Sequence, residues 1–86
     1  MAITPDDLRA AGAVIDAASS VREAAATWRT RDPAMRVLVV DAHDMRDETP
    51  ALRLGLRSVY LATSNGHCWS VTGQPELATA LILTQH

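Results

Sequence analysis

The chain has no phenylalanine, no lysine, one cysteine and four glycines, and none of its apolar runs approaches the length of a bilayer crossing. Each shortage removes a class of protein. A lone Cys68 cannot close an internal disulfide, whereas small secreted domains commonly rely on several. Membrane helices need about 20 consecutive apolar residues, and here such stretches last only a handful. Gly12, Gly55, Gly66 and Gly73 are scattered, so no glycine-rich phosphate loop supports nucleotide binding. The first residues, Met-Ala-Ile-Thr-Pro-Asp-Asp, carry neither a basic region nor an apolar one. They do not read as a signal peptide, and a cytoplasmic location is the expectation.

Charge narrows the field further. Eight arginines stand against ten acidic residues, for a net charge of −2. Most arginines have acidic neighbours in sequence, as in Arg31-Asp32 or Asp44-Met-Arg46-Asp47-Glu48, so no basic stripe is set to release counterions from phosphates. Nucleic acid is therefore not an expected partner. Arginine without lysine is the coding habit of a GC-rich genome and points to a bacterial source.

Eighty-six residues make one domain, spanning 1–86. A chain of this size buries roughly 60–65% of the surface it exposes when unfolded. With two Trp, one Tyr and fifteen Ala, its core must pack backbones closely or borrow surface from a second subunit.

What is present orders itself as helices and then strands. Thr4-Pro5-Asp6-Asp7 reads as a helix start: a cap, a proline suited to the first turn, and carboxylates at the positive end of the dipole. Leu8, Ala11, Val14, Ile15 and Ala18 recur on one face. Ser20-Val-Arg-Glu23 has the spacing of a capping box and favours a second helix, with Val21, Ala24, Ala25 and Trp28 inward, over one continuous helix from 5 to 30 kinked at the serines. Asp32-Pro33 stops it.

Residues 36–42 form an apolar, non-alternating run, expected to be a strand buried on both faces and central in its sheet. Leu52, Leu54 and Leu56 alternate with Arg53 and Gly55 as a short edge strand would. Strands at 57–64 and 67–72 flank Asn65-Gly66, a pair suited to a two-residue type I′ turn. Gly73-Gln74-Pro75 breaks the chain, 76–78 is a helical turn, and 80–84 is a last strand. The expected fold is α+β: two N-terminal helices on one face of a small, mainly antiparallel sheet of three to four strands, in the order α-α-β-β-β-β.

A two-residue turn at 65–66 pairs Ala62 with Trp69 and Tyr60 with Val71. One face then holds Tyr60, Ala62, Ser64, His67, Trp69 and Val71, and the other Val59, Leu61, Thr63, Cys68, Ser70 and Thr72. Large sheet residues complement small helix alanines, so the Tyr60/Trp69 face is expected inward. Val59 and Leu61, with Leu81 and Leu83 of the last strand, are then left as an apolar interface for a homodimer.

Candidate chemistry is sparse. Asp41, His43 and Asp44 end the first strand, and His67 borders the turn; these four are the candidate ligand-binding set. Adjacent His67 and Cys68 point to opposite sides of a strand, which disfavours a shared metal ion or a catalytic Cys-His pair. No catalytic residue, metal site or cofactor is assigned. The sequence leads to a non-enzymatic accessory protein that binds another protein, with a small-ligand or metal-binding module centred on His43, His67 and Asp41 as the alternative.

Overall fold

The computed structural model describes residues 4–33, 35–64 and 69–85. Two helices, α1 (Pro5–Ala17) and α2 (Val21–Arg31), precede five strands: β1 (Arg36–Val39), β2 (Leu52–Leu54), β3 (Arg57–Ser64), β4 (Trp69–Val71) and β5 (Ala80–Gln85). Single 3-10 turns lie at Ala42–Met45 and Pro75–Leu77. The expected arrangement of two helices on a sheet is present. Among the described residues, no helix is long and apolar enough to cross a membrane.

Local chemistry accounts for the helices. The Thr4 hydroxyl accepts from the Asp7 N–H, and the Asp7 carboxylate accepts from the Thr4 N–H, a complete capping box. In α2 the box is half made. Ser20 Oγ accepts from the Glu23 N–H, while the Glu23 carboxylate takes the Ser19 hydroxyl instead. The helix ends at Asp32, directly before Pro33.

The sheet is mixed and five-stranded. Its main path runs β1-β5-β3-β2, and β4 adds to β3. All pairings are antiparallel except β1–β5, which is parallel. β1 is therefore an edge strand, not the central one its composition implied. The reason is that both its faces are covered: Val37 belongs to the helix-side core, and Leu38 and Val40 to an apolar cluster behind the sheet. Lack of alternation records covered faces and says nothing about the number of neighbouring strands. β5 and β3 hold the centre.

The tight two-residue reversal lies at Gly55-Leu56, because Leu54 pairs with Arg57. Gly55 has φ +63°, and among the described residues no non-glycine has positive φ, the pattern of a II′ turn. The proposed turn at Asn65-Gly66 lies outside the described residues, as do His67 and Cys68. Its register is nevertheless corrected by the strands around it. Ala62 pairs with Val71, Thr63 with Ser70 and Ser64 with Trp69, two residues away from the expected pairing. An even shift leaves the face of every side chain unchanged.

The orientation of those faces is the reverse of the expectation. Val59, Leu61, Leu81 and Leu83 are fully buried beneath Ile15, Ala24, Ala25 and Trp28. Tyr60, Ala62, Ala80 and Ile82 face the other way, against Leu38, Val40, Met45 and Val71. Matching bulk to alanine misjudged this, since Ile15 and Trp28 give the helices large side chains of their own. The four residues expected at an open interface are the centre of the chain's own core.

One polar contact pins the helical layer. No basic residue lies in the last turn of α1, and Arg57 reaches up from β3 to supply one. Its Nη1 donates to the carbonyls of Ile15 and Ala18, both at 2.6 Å. Replacing Arg57 with Met keeps the stem and removes these bonds, and is expected to cost about 1.5–3 kcal/mol in urea unfolding. In contrast, the Thr84 hydroxyl is buried without a partner among the described residues. Thr84→Val is expected to be neutral or to stabilise by about 1 kcal/mol in the same assay; a loss of that size would mean the hydroxyl is bonded.

Candidate functional site

Asp41, His43 and Asp44 come together at the 3-10 turn after β1, and the first of them has a structural task. Asp41 Oδ1 accepts from the His43 N–H at 2.8 Å, capping the turn. Arg46 returns to the same turn, its Nη1 donating to the His43 carbonyl at 2.9 Å. All three candidate side chains are exposed. His67 lies outside the described residues. Among the described residues, no group of three His, Cys, Asp or Glu side chains is placed to hold a metal ion.

Asp44 borders a groove on the sheet face opposite the helices. Asp44, Met45 and Glu48 form one wall, Trp69, Ser70 and Val71 the other, and Ile82 the floor, enclosing about 390 Å³. Tyr60 anchors the loop wall, its hydroxyl donating to the Met45 carbonyl at 3.4 Å. Trp69 is 38% exposed, far from the buried position expected for it. The Arg36 guanidinium stands 5.9 Å from its ring centroid. The row between them carries Ala80 and Ala62, whose small side chains leave the way clear. Asp44 and Glu48 bring two exposed carboxylates to the rim of this groove, beside the Trp69 ring.

The second site was not foreseen, and it lies along the outer edge of β1. Arg36 and Val40 donate inward to the carbonyls of Thr79 and Leu83. Alternation then turns the backbone groups of Val37 and Val39 outward. One of these is covered: Arg29 of α2 donates to the Val37 carbonyl at 2.5 Å. Two grooves border this edge. Arg22, Ala25 and Arg29 face Leu38 and Val39 across one of about 420 Å³, and Arg29, Pro33, Met35 and Arg36 border one of about 340 Å³ with Val37 and Leu38. A strand edge of this kind offers main-chain donors and acceptors to any extended peptide.

Sequence reasoning missed this site because it placed 36–42 in the middle of the sheet. Arg29, seven residues before Arg36, was the available signal, but only if the strand had been read as an edge. Comparison with known protein families, curated proteins and solved structures gives no match to this chain. Hydrogen exchange followed by NMR checks the edge directly. The Val37 and Val39 amides are expected to exchange faster than those of Arg36 and Val40; equal protection of all four would mean the edge is closed.

Proposed function

We propose that this chain is a small accessory protein that acts by binding another protein, without catalysis, through the open edge of β1. The observation that carries the reading is the outward-facing backbone of Val37 and Val39 between two grooves. Backbone hydrogen-bonding groups left at a sheet edge are a binding surface that needs no further chemistry. The polar groups near the 3-10 turn supply no competing catalytic arrangement, since Asp41 is engaged as a cap and His43 points to solvent.

A homodimer, expected from an apolar sheet face, loses that motive because Val59, Leu61, Leu81 and Leu83 are covered by the chain's own helices. The alternative of a small-ligand module centred on His43, His67 and Asp41 draws its support from Asp44, which lines the groove beside Trp69.

A photo-reactive amino acid placed at position 39 tests the reading in cells of the native source. It is expected to trap one defined protein in a yield well above that from the same group at position 53, which is exposed on β2 at the other end of the main strand path. Equal yields from the two positions, or none from either, would count against the edge as the working surface.

A further inference from the structure

The occupant of the β1 edge is limited by the charges around it. Arg22 and Arg29 border one groove, Arg29 and Arg36 the other. Among the described residues none of these three makes an ion pair; the pairs there are Arg9–Asp6 and Arg46–Asp47. The nearest acids in sequence do not neutralise them. Glu23 takes the Ser19 hydroxyl, and Asp32 lies half-buried at the end of α2.

Resting on the reading of β1 as a binding edge, we propose that its partner presents an extended acidic segment, which adds to β1 as a sixth strand with its carboxylates meeting Arg22 and Arg29 on the helix side. Main-chain pairing supplies a sequence-tolerant part of the affinity. The guanidinium forks supply the preference for carboxylates, which they can meet with two parallel hydrogen bonds.

Arg29 has a particular part in this. Its bond to the Val37 carbonyl occupies an acceptor that an arriving strand needs. Entry of the strand exchanges that bond: a peptide N–H takes the carbonyl, and the released guanidinium turns to a carboxylate of the partner. In the unbound chain the same contact keeps a buried-quality acceptor satisfied and blunts the edge against indiscriminate pairing.

A second copy of this chain is a poor occupant. Two-fold pairing of β1 with itself would bring the Arg22 and Arg29 side chains of both copies together across the new seam. Like charges so placed repel, and no acid of the described edge offsets them.

The test uses the full-length chain, labelled with nitrogen-15 and titrated with three short synthetic peptides. One alternates Asp or Glu with Val; the second has Lys in place of every acid; the third is the acidic peptide with Pro at alternate positions, which removes the N–H groups a ladder needs. The acidic peptide is expected to shift and protect the Val37 and Val39 amides, to bind about tenfold or more tightly than the Lys peptide, and to weaken at high salt. Arg22→Glu, at an exposed side chain with no structural bond described, is expected to weaken it by roughly tenfold while leaving the unliganded spectrum intact elsewhere.

Equal binding of the Lys or Pro peptide, or shifts that map away from β1, overturns the proposal. So do concentration-dependent shifts at Val37 and Val39 without peptide, which would assign the edge to a second copy. If the group at position 39 traps a protein while the acidic peptide fails to bind, the acidic partner is wrong and the binding edge stands. If both fail, both are wrong.

Discussion

The antiparallel pairing of β3 with β5, from Arg57↔Gln85 to Ala62↔Ala80, is the contact on which the other layers are arranged. It lies in the middle of the sheet, and its alternation sorts side chains into two apolar sets. Val59, Leu61, Leu81 and Leu83 go to the helices; Tyr60, Ala62, Ala80 and Ile82 go to the loop side. A slip of one residue would exchange the two sets and strip both cores at once. The chain thus compensates for its shortage of large side chains by giving one strand pair two apolar faces, each covered by a different segment.

The helical layer is held close by the same economy of size. Ala11, Ala24 and Ala25 are fully buried, so the backbones of α1 and α2 approach the sheet closely. Gly12 takes this furthest, since a Cβ there would lie 3.0 Å from Leu52 Cδ1. Arg57 converts this proximity into a polar tie, reaching the end of α1 from the sheet. Burial of small residues and satisfaction of a helix terminus are here two results of one short distance.

The elements were legible in the sequence because their signals are local. Thr4, Ser20 and Asp32-Pro33 mark helix ends by the hydrogen bonds they make or forbid. The strand runs announced themselves by branched apolar residues. The orientation of the sheet was not legible, because both faces of β3 are apolar and the choice depends on what covers each. Nor was the edge position of β1, whose composition reflects α2 above it and Met45 with its loop below. The arginines hid the candidate site for a related reason. Along the chain Arg22, Arg29 and Arg36 each stand within a few residues of an acid, yet folding gathers them beside one strand and carries Asp41, Asp44, Asp47 and Glu48 past its end. Charge that is balanced in one dimension is separated in three.

The parallel pairing of β1 with β5 has a bearing on the order of assembly. Arg36 meets Ala80 across half the length of the chain, whereas the closest β3–β5 pair, Ala62 with Ala80, encloses a much shorter loop. Closing the longer loop costs more chain entropy, by less than about 1 kcal/mol, which favours an order in which β1 joins a β3–β5 pair already formed. The rim of the sheet is then the layer that arrives last, laid against a centre formed before it.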